Sequence, residues 1–447
     1  MQNQNSVWEK NALSIKISFI GLLILLLLIP MAMITGLIEE RQAKSHEAQR
    51  EILDTWGANQ VLSGPVITVP FQGRKHDGEL KLKNDYYHFL PQSLNIVGDV
   101  NAKVLNRGIF KVPVYDTNLT FSGTIQKPRG PDEPHGQIMY WDKAFVTMGI
   151  SDLRAIRNAI RMDCQEQKLV FGPAATPVSF FDNQVQTTMS LGNDWQEDKI
   201  LDFQITLAVG GGQRLHFLPL GKETTVELTS SWNNPGFNGA WLPKTRTVDE
   251  TGFNAQWFVS HLGRNHPQSW IDGNVDKFAM NQNSFGVDIL LPIDIYKKSY
   301  RSARYAILFI ALTFTVFFLF EVVLGLRIHP LQYLMVGIAL CIFYLLLLSL
   351  SEHVPFVMAY LAASMGVTAI ITIYSAGVLK RMRRAIYMAC MFCGVYGFLY
   401  VLLQLTEMAL LLGSVGVFLI LGFIMVFTRN MDWYALPGKG SEGQIET

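Results

Sequence analysis

Two acidic positions are the strongest candidates for chemistry in this 447-residue chain, because each lies in or beside a long apolar segment. Glu321 lies inside one such segment, and the pair Glu352–His353 lies at the end of another. A carboxylate within a membrane is costly and is a functional candidate by default, and a Glu–His pair could relay a proton or hold a metal. Two structural alternatives stay open: Glu321 is near Arg327 and could form an interfacial ion pair, and Glu352 could cap a helix.

The other candidate motifs are weaker. Cys390 and Cys393 form a C-x-x-C inside an apolar segment, where packing explains them better than an exposed reactive thiolate. His261 and His266 lack the H-E-x-x-H spacing of a zinc site, and the glycines at 210–213 lack the phosphate-loop pattern. The sequence therefore predicts no cofactor and no metal, and it favours a protein that is not an enzyme. An active site assembled only by the fold would escape this search.

The two acidic positions belong to the last third of the chain, which is almost continuously apolar from residue 305 to residue 428. Short polar marks divide this region into pieces of about 20–26 residues, the length that crosses ~30 Å of hydrocarbon as a helix. A further run without a charge lies near the beginning of the chain. The sequence therefore predicts six transmembrane helices, at 17–38, 305–326, 331–350, 354–379, 385–404 and 407–428.

Residues 61–295 have the periodicity of strands instead. In LDFQITLAV (201–209) apolar and polar residues alternate, as in a strand with one buried face. About ten to twelve such segments, separated by turn residues, predict a large all-β, antiparallel, sandwich-like domain. SDLRAIRNAI (151–160) is the one predicted helix within it, with Ser151 as its N-cap. The tryptophans of residues 231–284 could form a binding surface, but we expect them to fill the core under long loops.

Charge predicts the orientation. Four basic residues at 380–384 separate two of the predicted helices, and the positive-inside rule places them and both termini in the cytoplasm. The β domain, which follows one helix and precedes five, then lies on the outer side of the membrane. The basic residues at 297–304 run against the rule; they either belong to the exported domain or meet anionic lipid headgroups. The net charge of +1 gives no reason to expect nucleic acid as a partner.

The predicted layout of the chain follows from the apolar segments, the strand-like region and the distribution of basic residues. It consists of a cytoplasmic N-terminus (1–16), a signal-anchor helix (17–38), an exported β-rich domain (39–300), a five-helix transmembrane bundle (305–428) and a cytoplasmic tail (429–447).

Several long segments resemble the CreD family of bacterial inner-membrane proteins. They include FEVVLGLRIHPLQYLMVG, LSLSEH and FTRNMDWY in the apolar region, and SGPVITVP and WLPKTRTVDETGFNAQW in the β region. The resemblance spans nearly the whole chain. It implies a multi-pass inner-membrane protein of the Cre two-component regulon with a role in cell-envelope integrity, and it implies no catalytic residues. The candidate functional residues within or beside the resembling segments are Glu321, Arg327, His329, Glu352, His353, Arg429 and Asp432.

Two functions agree with this sequence. The first is a protein that supports envelope integrity, with a periplasmic β domain that binds an envelope component or a partner protein. The alternative is a carrier that moves a lipid or glycolipid between the inner membrane and the periplasm. The expected partners are the lipid bilayer together with a lipid, a glycan or an envelope protein. A water-filled cavity joining Glu321 and Glu352 would favour the carrier, and a dry bundle would favour the anchored domain.

Overall fold

The computed structural model describes residues 3–429 except 75–79, 128–137, 193–194, 196–198, 274, 276, 292–293, 325–327, 379–381 and 406–407. The chain divides into two compact units. The first, here called the helical unit, comprises residues 1–44 and 293–447, and the second, the β unit, comprises residues 45–292.

The described residues contain eight α-helices, and the five predicted helices of the last third are all among them, each within a few residues of its predicted bounds. The helices are α1 (Asn3–Trp56), α2 (Lys277–Asn281), α3 (Ile295–Arg304), α4 (Ala306–Leu324), α5 (Pro330–Ser351), α6 (Phe356–Val378), α7 (Met382–Gln404) and α8 (Ala409–Thr428). Uninterrupted apolar residues form helices here because a helix satisfies its own backbone hydrogen bonds.

Length and composition identify which described helices can cross a membrane. Four are long and apolar enough. They are residues Ile15–Trp56 of α1, Pro330–Ser351 (α5), Phe356–Gly377 of α6 and Met382–Gln404 (α7). Helices α3 and α4, bent by 42° at their junction, make a fifth if they count as one span. The apolar part of α8, Leu411–Val426, is shorter. The described residues thus contain four or five membrane-length elements, where the sequence predicted six.

The β unit contains 18 strands among its described residues. They are β1 (Gln60–Arg74), β2 (Leu80–Phe89), β3 (Ser93–Arg107), β4 (Phe110–Gln126), β5 (Ile138–Met139), β6 (Phe145–Ile150), β7 (Arg161–Cys164), β8 (Gln167–Val170), β9 (Gly172–Pro173), β10 (Gln184–Thr188), β11 (Ile200–Gly211), β12 (Arg214–Phe217), β13 (Glu223–Ser230), β14 (Pro235–Gly239), β15 (Thr245–Asp249), β16 (Gly252–Ser260), β17 (Ser269–Ile271) and β18 (Phe285–Ile289).

These strands form two sheets with a shared core. The ten-stranded sheet has the order β14-β18-β12-β1-β6-β10-β9, with β2, β5 and β17 added beside it, and the eight-stranded sheet has the order β15-β16-β13-β3-β4-β11-β7-β8. Buried apolar side chains from both sheets belong to one hydrophobic cluster. In β11 the buried residues alternate with exposed ones, as LDFQITLAV predicted. Alternation of this kind places every second side chain in the core.

Two strand pairings correct the prediction of an antiparallel domain. Strand β1 pairs with β12 in parallel, and β3 pairs with β13 in parallel, while the other pairings are antiparallel. Each parallel pair joins strands that are more than 120 residues apart in the sequence, for example Gln60 with Leu215. Periodicity predicts a strand but not its partner, so the sequence pattern could not distinguish the two directions.

The predicted helix at 151–160 is wrong. The structure has a single 3-10 turn, Leu153–Ala155, and its N-cap is Asp152 rather than Ser151. The backbone groups of this segment bond to distant strands instead: Arg157 N–H donates to Ala208 O at 2.9 Å. Hydrogen bonds to a distant strand therefore replace those that a helix would make. The apolar spacing typical of a helix was present in the sequence, but it did not determine the local structure.

The tryptophans of residues 231–284 belong to the core, as predicted. Trp257 and Trp270 are 0% and 3% exposed. Trp232 and Trp241 are half-buried and pack against the main hydrophobic cluster. Trp257 belongs to β16 of the eight-stranded sheet and Trp270 to β17 of the ten-stranded sheet, and the four rings leave little aromatic surface for a partner.

Candidate functional site

Glu321 is buried in α4 and is held by donors from three other positions in the helical unit. Its side chain is 8% exposed and forms an ion pair with Lys16 of α1. The N–H of Ile328 donates to Oε1 at 3.0 Å, and the hydroxyl of Tyr333 donates to Oε2 at 3.0 Å. Lys16 also donates to Ile328 O at 3.1 Å. The carboxylate therefore joins α1, α4 and the start of α5 in one hydrogen-bonded cluster.

The start of α5 positions this cluster. Helix α5 begins at Pro330, one residue before the predicted bound and at a residue type favoured in the first helical position, and His329 is its N-cap. The ring of His329 accepts the N–H of Leu331 at 3.2 Å, and the side chain of Gln332 accepts the N–H of His329 at 3.0 Å. This capping box satisfies the free donors of the first helical turn. His329 thus has a structural role at the helix end, while Tyr333 one turn later reaches Glu321.

Glu352 is the C-cap of α5, and its side chain is 8% exposed. The hydroxyl of Tyr296, from α3, donates to its Oε1 at 3.2 Å, and Arg41 Nε of α1 lies 4.0 Å from the same oxygen. The predicted partner His353 is exposed beside it. The capping alternative for Glu352 is therefore the one that the geometry supports, and no group of three metal-binding side chains exists among the described residues.

The structure does not bring the two carboxylates together. Glu321 contacts the first turn of α5 and Glu352 ends the same helix, whose 22 residues separate them by about 30 Å at 1.5 Å per residue. Arg429 is the exposed C-cap of α8. Arg327 and Asp432 lie outside the described residues, and so does the predicted pairing of Arg327 with Glu321. Lys16 was not among the predicted site residues.

A groove between α6 and α7, here called the α6/α7 groove, has a volume of about 790 Å³. Its lining is mostly apolar, and neither Glu321 nor Glu352 belongs to it. Tyr360 of α6 donates to Tyr396 O of α7 at 2.6 Å, which ties the two helices along the groove. Cys393 is exposed along this lining, whereas Cys341 of α5 is buried. Small and aromatic side chains on α7 thus shape one wall. Both cysteines of its C-x-x-C, Cys390 and Cys393, are exposed, so the core of the helical unit does not bury them.

A second cavity lies in the β unit and has a volume of about 400 Å³. It is here called the β-unit cleft. Strands β1 and β6 form one wall with Ser63 and Ser151, the segment 180–183 forms another, and Asn281 of α2 closes it. Asn183 donates to Ser151 O at 2.6 Å, which holds the segment against β6. Polar groups that can donate and accept hydrogen bonds therefore surround this cavity.

Aromatic rings form the base of the β-unit cleft. Phe180 and Phe181 contact each other edge to face with ring centres 4.8 Å apart. Phe180 also packs on Trp270 at 5.3 Å and on the buried ring of His88 at 5.0 Å. Residues 180–183 were not among the predicted site residues. Their sequence, FFDN, combines two aromatic residues with two turn-forming polar residues and could have indicated a site, but the walls that complete it come from distant strands.

Arg264 and His266 form a buried hydrogen-bonded pair in the β unit, although His266 lacks the sequence spacing of a zinc ligand. Arg264 donates to Pro219 O at 3.1 Å and to Nε2 of His266 at 3.1 Å, and no ion pair of Arg264 occurs among the described residues. Burial lowers the pKa of Arg264 to about 10. Burial, with a smaller effect from Arg264, lowers the pKa of His266 to about 3. His266 is therefore neutral at pH 7 and serves as an acceptor.

One chain that combines apolar helices of membrane length with a separate β unit is an integral membrane protein. The model of the CreD family, described as inner membrane protein CreD, matches residues 12–434. Inner membrane protein CreD of Escherichia coli (strain K12) is 33% identical over 431 residues, which are 95% of this chain and 95% of that protein. The chain belongs to the CreD family of inner membrane proteins, and the resemblance seen in its sequence is confirmed.

Solved structures add little to this assignment. An M1 zinc metallopeptidase from Deinococcus radiodurans matches 38% of this chain and 38% of its own, at 10% identity and a TM-score of 0.19. A structure of the same type of enzyme bound to L-tryptophan matches 38% of this chain and 39% of its own, also at 10% identity, with a TM-score of 0.18. Likenesses of this size carry no argument about fold or function.

The Glu321 cluster predicts a test of stability. We expect Glu321→Gln to lower the free energy of unfolding by about 2–3 kcal/mol, because it leaves the Lys16 ammonium without its counter-charge in a buried site. The double variant Lys16→Met with Glu321→Leu should recover part of the loss. The measurement is the thermal unfolding midpoint of the whole protein in nanodiscs. Glu40→Gln is the control, since Glu40 forms an exposed ion pair with Lys44. Equal midpoints for Glu321→Gln and the parent protein would contradict the role of this cluster.

His266 predicts a pH dependence. Its folded pKa is about 3, below the ordinary 6.5, so the unfolded chain binds a proton that the folded chain excludes. The β unit should therefore lose stability as the pH falls from about 6.5 towards 3, by about 1.4 kcal/mol per pH unit. Unfolding of the whole protein followed by tryptophan fluorescence at pH 7 and pH 5 measures this. His266→Gln should remove this part of the slope, and His46→Gln, at an exposed position, should keep it. Equal slopes in the two variants would exclude His266 as the cause.

Proposed function

We propose that this protein supports the integrity of the cell envelope as an inner-membrane protein whose β unit binds an envelope component in the β-unit cleft. The observation that carries the proposal is the cleft itself, where hydrogen-bonding side chains surround an aromatic base. Its volume of about 400 Å³ falls within the roughly 300–1,000 Å³ of small-ligand sites. The helical unit then serves as the anchor.

The chemistry of the cleft favours a glycan or a short peptide as the ligand. Amide groups such as those of Asn183 and Asn281 can donate and accept at once, which suits hydroxyl and peptide groups. Phe181, which is 8% exposed, adds a small apolar surface for the C–H face of a sugar or an aliphatic side chain, while Phe180 is buried and packs against it. Both ligand types occur in the cell envelope, and both would present polar groups around an apolar face.

The lining of the cleft supports binding rather than hydrolysis. Asp182 is the carboxylate among its described lining residues, and it forms an ion pair with Lys277 of α2. Glycoside hydrolysis generally uses two carboxylates on opposite sides of the scissile bond. A single carboxylate already held by a lysine can orient a ligand but lacks the partner that this chemistry needs.

The membrane carboxylates support the anchoring role of the helical unit. Glu321 and Glu352 are each held by donors from other helices, and no described cavity joins them. A carboxylate with fixed partners stabilises one helix arrangement, whereas a transport pathway needs groups that exchange partners with a substrate. This favours the anchored β domain.

A second function, a carrier that moves a lipid or glycolipid between the inner membrane and the periplasm, is favoured by a different observation. The α6/α7 groove is large, about 790 Å³, and mostly apolar, as expected of a surface that holds a lipid chain. The groove is separate from both carboxylates. A carrier would therefore use α6 and α7, and not the Glu321 and Glu352 positions that the sequence suggested.

We further propose the predicted layout for this protein. Six spans would consist of the apolar part of α1, the α3–α4 pair, α5, α6, α7 and α8, with residues 39–300 in the periplasm and both termini in the cytoplasm. The support is the distribution of basic residues, which are concentrated at 380–384 and absent from the connections at 351–353 and 404–407. The 1–16, 17–38, 305–428 and 429–447 divisions follow from the same count.

The layout predicts the behaviour of reporter fusions in the cell. Alkaline phosphatase fused after Thr251 should be active, because the enzyme folds only in the periplasm and the layout places Thr251 there. The same enzyme fused after Arg384 should be inactive, and a fluorescent protein fused after Thr447 should fluoresce. The enzyme activity and the fluorescence of whole cells are the measurements, normalised to expression. An inactive fusion at Thr251 or a dark fusion at Thr447 would contradict the proposed orientation.

The β-unit cleft predicts the effect of one bulky side chain. Asn281→Trp should fill the cleft and weaken ligand binding by about tenfold or more, or about 1.4 kcal/mol. Gln282→Trp is the matched control, because the neighbouring Gln282 is exposed and does not line the cleft. The measurement is calorimetry of the whole protein in nanodiscs with soluble peptidoglycan fragments, which carry both glycan and peptide. Each variant is also tested for rescue of envelope defects in a strain that lacks its own copy.

Binding that is equal in the two variants would show that the ligand does not use the cleft. Turnover of the fragments by the whole protein would overturn the binding function in favour of an enzyme. Loss of rescue by Asn281→Trp, with rescue retained by Gln282→Trp at equal expression, would join the cleft to the envelope role.

A further inference from the structure

One wall of the α6/α7 groove is formed by regularly spaced residues of α6. Its lining residues recur every three or four positions from Val357 to Ile373, including Leu361, Met365 and Ala369. This spacing forms one stripe about 24 Å long at 1.5 Å per residue. A stripe of this length along a membrane-length helix runs in the direction that a lipid chain takes in a bilayer.

Two hydroxyl groups on this wall are satisfied within α6. Ser364 donates to Leu361 O at 3.1 Å, and Thr372 donates to Thr368 O at 2.7 Å. Their hydroxyl groups therefore need no partner from a ligand, and what the wall offers to an occupant is mainly apolar contact. This favours a hydrocarbon chain over a polar solute as the occupant of the groove.

One end of the groove has a positive charge. Lys298 of α3 lies 3.2 Å from Oε1 of Gln404, and the amide of Gln404 donates to the hydroxyl of Tyr400, a groove-lining residue, at 2.8 Å. The ammonium also lies 5.4 Å from the ring centre of Phe356, the first residue of α6. Lys298 is thus positioned where α6 begins and α7 ends, at the mouth of the groove.

This charge is not neutralised by the carboxylates around it. Asp294 caps α3 and pairs with Lys297 at 3.3 Å, and Glu352 is held by Tyr296 and Arg41. Among the described residues Lys298 forms no ion pair. Arg301, one turn further along α3, donates to the carbonyl of Leu402 at 3.2 Å and so fixes α3 against the end of α7. An ammonium at the mouth of an apolar groove is complementary to a lipid phosphate.

We propose that the α6/α7 groove binds an anionic phospholipid, with its phosphate against Lys298 and one acyl chain along α6 and α7. The charge selects the headgroup and the apolar stripe holds the chain, so the two ends of the site recognise the two ends of one molecule. The site deepens the carrier function proposed above by naming its lipid class. It does not depend on the β-unit cleft, whose ligand is tested separately.

The headgroup half of the site is tested with the whole protein in phosphatidylcholine nanodiscs that contain a small fraction of phosphatidylglycerol. Native mass spectrometry counts the lipids that remain bound. The parent protein should retain phosphatidylglycerol in preference to phosphatidylcholine. Lys298→Gln should lower that preference about fivefold, the effect of roughly 1 kcal/mol for one basic residue at a membrane surface. Lys297→Gln is the control, because Lys297 is exposed and already paired with Asp294.

The chain half of the site is tested at two glycines of α7. Gly397 lines the groove, and a Cβ at this position meets nothing within 4 Å, so Gly397→Leu should fill the groove without a clash and abolish retention of the lipid. Gly394→Leu is the matched control, since a Cβ there is equally free and the residue does not line the groove. The thermal unfolding midpoint of each variant reports whether the fold is intact.

Equal retention of the two lipids by the parent protein would overturn the proposal, and so would unchanged retention in Gly397→Leu. Retention of a second protein chain in place of lipid would overturn it as well, since the groove would then be an interface. Peptidoglycan-fragment binding is measured on the same samples. Failure of the lipid site with fragment binding intact would remove the carrier function and leave the cleft function in place.

Discussion

The interior of a bilayer offers no hydrogen-bond partner, and this constraint explains most of the helical unit. Backbone groups are satisfied within the helices, and charged side chains persist only where the protein itself supplies partners. Glu321 is the clearest example, because a lysine, a backbone N–H and a tyrosine hydroxyl all act on one carboxylate. Removing the carboxylate would leave all three donors without their acceptor. The same requirement explains why Glu352 ends a helix rather than interrupting one.

The β unit meets a different constraint, which is to cover two sheets with one core. Its two parallel pairings, β1 with β12 and β3 with β13, join distant parts of the chain and make the unit depend on long-range contacts. The buried side chains of Arg264 and His266 bond to each other, and Arg264 also bonds to a carbonyl, so part of their hydrogen-bonding capacity is satisfied inside the unit. The cleft arises from this arrangement, since β1, β6, the segment 180–183 and α2 meet only in the folded unit.

The two cavities imply different kinds of recognition within one family member. The β-unit cleft combines amides, a paired carboxylate and aromatic rings, which suits a ligand with many polar groups. The α6/α7 groove is mostly apolar, and the ammonium of Lys298, which forms no ion pair among the described residues, lies at its mouth; this combination suits an amphipathic ligand. The described lining of each cavity suits the binding of a ligand, which is the function we propose for both.

The sequence by itself determined the features that depend on local composition. The lengths of the apolar segments predicted α4 to α8 closely, Pro330 marked the start of α5, and the alternation in LDFQITLAV identified a strand with one buried face. Family membership was also evident from long matching segments. The helix and strand features could be predicted because helix length, helix capping and strand alternation depend on neighbouring residues in the sequence.

Only the tertiary structure decided which residues meet. It joined Lys16 to Glu321 across 305 positions, separated Glu321 from Glu352 along α5, and replaced the expected helix at 151–160 by bonds to a distant strand. It also assembled the cleft around residues 180–183 and placed Lys298 at the end of the α6/α7 groove. Such contacts depend on how whole elements pack, and single-sequence periodicity contains no information about the partner of a strand, a helix face or a buried charge.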